Sequence, residues 1–242
     1  MLEIRSVSKS FPGVQALRDV SFTVQTGEVH ALVGENGAGK STLMKILSGV
    51  YPDYDGEVVF EGSRLALRNP RDAQQRGIAI IHQELNLVSE LTVAENIFLG
   101  SELHTPFGAL DTARMQRETN ALLDRFNLTI PPDRPVKWLR VGEQQLAEVA
   151  KALALRARLL ILDEPTSALS EAEIDKLMEI LALLKEHGVT CVYITHKLDE
   201  FFRIADTITV MRDGQIVTTQ PTKDLDLPKL VSHMVGREMK ER

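Results

Sequence analysis

Gly34-Glu35-Asn36-Gly37-Ala38-Gly39-Lys40-Ser41 decides how this chain is read. It matches in full the phosphate-binding loop pattern G-x-x-x-x-G-K-[ST]. Ahead of it, Val29, Ala31, Leu32 and Val33 make a short apolar run of the length expected for a buried strand. Behind it, Leu43, Met44, Ile46 and Leu47 recur at helical spacing, and Gly49 is placed to end that helix. Strand, glycine-rich loop and helix, in this order, are the context the motif requires. The three glycines let the backbone wrap closely around a polyphosphate with N–H groups pointing inward, which side chains would block. The helix starting near Lys40 adds the positive end of its dipole. Lys40 brings a point charge for the β- and γ-phosphates, and the Ser41 hydroxyl is a Mg²⁺ ligand. A glycine turn with a surface lysine is the plainer alternative, but it explains neither the complete pattern nor its flanks. The reading is a nucleoside triphosphate site.

Composition sets the outer bounds. A chain of 242 residues holds one large α/β domain or one and a half ordinary ones. Its 43% hydrophobic and 26% charged content is that of a water-soluble globular protein. A formal net charge of −6 argues against a nucleic-acid surface, although a local basic patch is compatible with it. Cys191 is the single cysteine, so no internal disulfide forms, and its apolar surroundings suit a packed small hydrophobe. The start, Met1-Leu2-Glu3-Ile4-Arg5, lacks a signal-peptide core, and no apolar run approaches the ~18 residues of a membrane span. These features together point to the cytoplasm.

Residues 2–62 outside the loop read as strands and turns, with Val20, Phe22 and Val24 alternating and Val58-Val59-Phe60 set between Gly56 and Gly62. Phe11, just upstream of the loop, either stacks on a purine ring or packs as an ordinary β-layer aromatic. Asn69-Pro70 opens a short helix that Gly77 closes, and Ile78-Ala79-Ile80-Ile81-His82 follows as a strand. Gln83 then falls at the carboxyl edge of a parallel sheet, where open α/β sheets bind ligands. Thr92 with Glu95 forms a capping box, and Asp111 caps a longer helix carrying Met115, Leu122, Leu123 and Phe126 on one side. Ile130-Pro131-Pro132-Asp133-Arg134-Pro135 is neither helix nor central strand. Residues 84–157 are therefore expected to be a mainly helical insert.

The core resumes at Leu159-Leu160-Ile161-Leu162-Asp163-Glu164. An apolar run ending in a carboxylate delivers Asp163 to Mg²⁺, and Glu164 leaves the strand where it orients or deprotonates a water. Polar strand ends are common, so the acidic pair gains its weight from the intact phosphate loop. Ser170 and Glu173 form a second capping box for a helix that Gly188 ends. Residues 189–194 read as a core strand, and His196 stands just past it, as a structural histidine or as a group on the ligand edge. Asp213-Gly214 turns a hairpin, and residues 227–235 read as an amphipathic helix.

In this order, the phosphate loop, Gln83, Leu139-Arg140-Val141-Gly142-Glu143-Gln144-Gln145, the acidic strand and His196 resemble an ABC transporter ATPase subunit over nearly the whole chain. Lys9-Ser10-Phe11-Pro12-Gly13-Val14 and His82-Gln83-Glu84-Leu85 look most like the bacterial monosaccharide importers of ribose, galactose and xylose type. The resemblance implies an α/β, RecA-like P-loop NTPase core with an N-terminal antiparallel β-layer and an inserted helical subdomain. Residues 1–83 and 158–242 would be the core, and residues 84–157 the insert. It implies ATP and Mg²⁺ as ligands, with Phe11, Gly34, Asn36, Gly37, Gly39, Lys40, Ser41 and Thr42 on the nucleotide. Ser41, Gln83 and Asp163 would serve the metal, and Glu164, His196 and Gln83 catalysis. Arg140, Val141, Gly142, Glu143 and Gln144 would face the nucleotide of a second ATPase domain, fused in the native chain or homodimeric. Transmembrane permease subunits, an indirect periplasmic sugar-binding protein and the cytoplasmic face of the inner membrane complete the implied setting.

Two departures stand out. The family signature usually reads Leu-Ser-Gly-Gly-Gln; here Arg140 takes the serine position and Val141 the first glycine. Ser170 stands where many relatives carry Asp. The expectation is a competent phosphate loop with a weakened signature; if the two domains are fused in one polypeptide, as is common in the monosaccharide importers, this chain would be the N-terminal half, ending near Gly236-Arg237-Glu238. Other classes fit less well. A GTPase needs Asn-Lys-x-Asp, which His196-Lys197-Leu198-Asp199 only echoes, and a kinase needs an arginine-rich lid. An ABC ATPase acting on nucleic acid or ribosomes would carry coiled-coil, zinc or basic insertions.

Overall fold

Alternating apolar residues organise the N-terminal strands. The computed structural model describes residues 1–82, 86–195 and 197–235. In it, β1 (Leu2–Phe11) pairs antiparallel with β2 (Val14–Val24) and with β4 (Asp55–Phe60), which in turn pairs with the short β5 (Ser63–Arg64). Leu2, Ile4 and Val7 all point inward although strict alternation would place residue 6 there. A bulge resolves this: Ser6 takes φ +48°, and the register shifts between Ile4 and Val7. The opposite strand accommodates the bulge at Gly56, where a Cβ would lie 2.3 Å from the Ser6 carbonyl oxygen.

The second sheet contains β3 (Val29–Val33), β6 (Ile78–Ile81), β7 (Leu159–Asp163), β8 (Thr190–Ile194), β9 (Thr207–Arg212) and β10 (Gln215–Pro221), in the order β10-β9-β3-β8-β7-β6. From β9 to β6 the pairs are parallel, and β10 closes one edge antiparallel. The near-continuous apolar runs of β3, β7 and β8 follow from burial on both faces.

Helix α1 (Lys40–Leu47) lies between the two sheets. Its Leu43, Met44, Ile46 and Leu47 share one apolar cluster with Ile4, Phe22 and Phe60 of the first sheet and Leu32, Ile161 and Ile194 of the second. Each such side chain contributes about 1.5–3 kcal/mol on burial, which anchors the helix behind the phosphate loop. Helix α2 (Pro70–Gln75) begins as its sequence predicts, with the Asn69 side chain accepting the Asp72 N–H. Between β6 and β7 come α3 (Val93–Phe98), α4 (Thr112–Arg125) and α5 (Val141–Ala154). They pack on α6 (Glu171–Glu186) and the far face of the second sheet. The predicted capping box of Thr92 and Glu95 is formed, and Asp111 caps α4. A third small cluster joins α7 (Leu198–Ile204) and α8 (Leu227–Val235) to Ala31, Val33, Ile208 and Val210. Helix α7 was not expected from the sequence. It is only 7 residues long, too short for a helical period to mark it.

Parallel register aligns the strand ends that carry the candidate chemistry. Asp163 of β7 sits opposite Ile194 of β8, Leu32 of β3 also pairs Ile194, and Ile81 of β6 pairs Leu162. The carboxyl ends of four strands therefore open onto one edge, as in other open α/β sheets.

Candidate active site

The phosphate loop is shaped by close main-chain approaches. A Cβ on Gly34 would stand 2.3 Å from the Met211 carbonyl oxygen. Gly39, the N-cap of α1, has φ +103°, and a Cβ there would lie 2.8 Å from the Ala16 carbonyl oxygen. Segments remote in sequence brace the loop: the Gly214 N–H donates to the Ala38 carbonyl at 3.1 Å, and the Arg18 N–H to the Gly214 carbonyl at 2.8 Å. Lys40 reaches back across the loop, its Nζ donating to the Gly34 carbonyl at 2.7 Å and the Glu35 carbonyl at 3.0 Å. Burial pulls the pKa of this ammonium down, against the opposing pull of Glu164 and Asp163.

A cavity of about 360 Å³ opens beside the loop. Asn36, Gly37, Gly39, Lys40, Ser41 and Thr42 line it together with Asp163 and Glu164. Burial pushes the Asp163 carboxyl up from its ordinary range, and the neighbouring Glu164 charge pushes it further. Glu164 takes φ +47°, a left-handed conformation that costs a non-glycine residue about 1–2 kcal/mol. Its N–H donates to the Ile194 carbonyl at 2.8 Å, so the chain leaves β7 sharply while still bonded to β8. The donor set suits Mg²⁺: one or two carboxylates, a hydroxyl from Ser41 and room for phosphate oxygens and water. A cation here would also relieve the charge that burial makes costly at Asp163.

The other predicted residues are placed differently. Gly34 packs beneath the loop on Met211. Phe11, at the end of β1, does not line the cavity; its ring meets Tyr51 edge-on at 5.3 Å, with the Lys9 ammonium 5.3 Å from its centre. Gln83 and His196 lie outside the described residues. Arg140, Val141, Gly142, Glu143 and Gln144 open helix α5 and none of them lines the cavity. The Arg140 N–H donates to the Glu143 carboxylate at 2.8 Å, and the Gly142 N–H to Glu173 Oε1 at 3.1 Å. Bonds from the Ser170 hydroxyl and N–H, and to a lesser degree the Gly142 N–H, hold the Glu173 carboxyl below its usual range. A Cβ at position 142 would stand 2.5 Å from that carboxylate oxygen, so the Glu173 side chain would have to shift to admit one.

Sequence reasoning missed Gln15, Ala16, Arg18, Asp213 and Gly214, all of which line the cavity. The Asp213-Gly214 turn is legible as a hairpin, but nothing local says that it returns to the phosphate loop.

Comparisons with known proteins agree with this geometry. The chain is 52% identical over 244 residues to the xylose import ATP-binding protein XylG of Thermoanaerobacter pseudethanolicus, covering 100% of this chain and 48% of that protein. It thus spans about half the length of the curated relatives it matches. A solved ADP conformation of an ATP-binding cassette of an ABC transporter superposes with a TM-score of 0.84 at 27% identity, over 98% of this chain and 99% of that one. A dimeric post-hydrolysis cassette bound to ADP and Pi gives 0.76 at 25% identity, over 92% and 99%. The sequence profile described as ABC transporter matches residues 17–167, from β2 through the acidic strand to the turn after it, and on this ground the chain belongs to the ABC transporter family.

Proposed function

We propose that this chain is the ATP-hydrolysing nucleotide-binding part of an ABC importer that takes up a monosaccharide. One observation carries the hydrolytic reading: the acidic pair Asp163 and Glu164 lines the same cavity as Lys40 and the phosphate loop and interacts electrostatically with the Lys40 ammonium. The loop amides and Lys40 hold the β- and γ-phosphates. Ser41, Asp163 and Gln83 would serve Mg²⁺, which would supply charge neutralisation at the phosphates. Glu164 orients or deprotonates the water that attacks the γ-phosphate in line, and His196 contacts that phosphate. Phe11 is assigned to the adenine ring, which would then extend past the cavity toward the end of β1.

The signature residues 140–144 serve a partner's nucleotide. They line no part of this chain's own cavity, and a similar cassette is known as a dimer. Closure of the two domains on ATP, and reopening after hydrolysis, would be passed to transmembrane permease subunits. The second domain is either fused in the native polypeptide or a second copy, and a periplasmic sugar-binding protein acts at one remove. Among the described residues no helix is long and apolar enough to cross a membrane, consistent with peripheral attachment at the cytoplasmic face. The xylose import name of the relative supports a pentose or hexose as cargo.

The test is calorimetry with ATP and Mg²⁺, then turnover in the assembled transporter. Glu164→Gln is expected to keep ATP affinity and lose at least about a hundredfold in kcat, and Lys40→Ala to lose binding. No heat of binding to the unmodified chain would refute the proposal.

A further inference from the structure

Glu200 is a carboxylate that the reaction above leaves unused, yet it is only 5% exposed. It sits on α7, where its Oε2 accepts three hydroxyls: Tyr193 at 2.6 Å, Thr166 at 2.8 Å and Thr195 at 3.2 Å. The Lys197 ammonium lies 3.3 Å from Oε1 and donates to the Thr166 carbonyl at 3.0 Å. The Lys197 main-chain N–H donates to Thr195 Oγ1 at 3.0 Å. Thr166 lies two residues beyond Glu164, while Thr195 and Lys197 bracket position 196. One buried carboxylate therefore gathers the turn after the acidic strand and the turn after β8.

The proton inventory is specific. Each hydroxyl has one hydrogen, and three of them converge only on an oxygen that carries none, as an ionised carboxylate does. Thr195 accepts from Lys197 N–H, which leaves its own hydrogen for Glu200. An apolar side chain would fill this space without burying a charge. What the carboxylate adds is direction: it fixes which way each hydroxyl points and how far apart the two turns stand.

We propose that Glu200 is a positioning residue for the water-attack step, locking the turn that follows Glu164 against the end of β8 and the start of α7 so that Glu164 keeps its place on the cavity wall. This rests on the hydrolytic reading above. Glu200→Gln keeps the shape but breaks the network in either orientation. With its oxygen toward the hydroxyls, the amide NH₂ meets the Lys197 ammonium; flipped, the hydroxyls lose their acceptor.

The experiment uses the complete polypeptide assembled with its membrane partners and reads kcat, ATP affinity and nucleotide-free melting. Glu200→Gln is expected to lower kcat about tenfold to a hundredfold while ATP affinity stays within about threefold, because placement and not binding is lost. Lys197→Met lowers kcat less, and adds nothing in the Glu200→Gln background, since both act through one network. Thr166→Ser retains activity and Thr166→Val loses it. Wild-type kcat in Glu200→Gln overturns the proposal, as does a loss of affinity that tracks a falling melting temperature. Should that variant not fold, Thr166→Val decides, and unchanged kcat there overturns it. A wild-type complex with no turnover would instead remove the hydrolytic reading, and this inference with it.

Discussion

Two glycines of the phosphate loop separate what the fold needs from what the ligand needs. Gly37 and Gly39 both have positive φ, +84° and +103°. Alanine at either position therefore carries the left-handed penalty of about 1–2 kcal/mol. Their surroundings differ. A Cβ on Gly37 meets no protein atom within 4 Å, whereas one on Gly39 lies 2.8 Å from the Ala16 carbonyl oxygen and 2.8 Å from Leu17 Cδ2. Main chain on one side and a fully buried leucine on the other leave little room to yield. Overpacking of this kind costs a further 1–3 kcal/mol or so, bringing Gly39→Ala to about 2–5 kcal/mol. Gly37→Ala stays near the conformational cost alone, so its remaining effect falls on bound phosphate. Losing one main-chain bond to a charged oxygen weakens binding by about 1.5–3 kcal/mol, roughly 10- to 150-fold. Urea denaturation without nucleotide and calorimetry with MgATP read the two effects separately. If Gly37→Ala proved as unstable as Gly39→Ala, or bound ATP like the unmodified chain, the assignment of loop shape to steric fit at 39 and phosphate access at 37 would be wrong.

Three further outcomes follow from the site. Arg140→Ser should raise turnover of the assembled transporter by restoring a small hydroxyl at the start of α5, and an unchanged rate would show that the arginine is no handicap. Asp163→Asn should abolish Mg²⁺-dependent turnover yet stabilise the nucleotide-free fold at neutral pH. The Asp163 pKa is raised by burial, so its stability contribution is greatest below the unfolded value and is lost as pH rises through the folded one. The melting difference between the two forms should accordingly shrink toward acid pH, and a constant difference would contradict it. Phe11→Ala should weaken ATP binding by about two- to tenfold, as expected for one lost ring contact, and leave inorganic tripolyphosphate unaffected. Equal loss for both ligands would mean that the ring only packs on Tyr51.

Much of this architecture can be read from local chemistry. The phosphate loop, the capping residues Asn69, Thr92, Asp111 and Ser170, and the carboxyl-terminated strand at Asp163 are each specified within a few neighbouring residues, and each forms. The bulge at Ser6 is less legible, because Leu2, Ile4 and Val7 break a period of two and the compensating glycine lies on another strand. The cavity wall at Gln15, Arg18 and Asp213 was not legible at all. Those positions are polar and exposed in pattern, and only the packing of the hairpin turn onto the loop brings them to the cavity. Glu200 escaped for a similar reason: a glutamate at the start of a short helix looks like solvent-facing charge until its hydroxyl partners converge from β8 and from the segments that follow β7 and β8.

The brace between Gly214 and the loop carbonyl of Ala38 bears on how the protein matures. A nucleotide cradle that draws one wall from β9 and β10 cannot be finished while the segment around 214 is still unsynthesised or undocked. Ligand affinity during synthesis then emerges only after the segment around Gly214 has folded back onto Ala38. A cell that tests such chains by whether they hold nucleotide would be testing the docking of the β9–β10 hairpin.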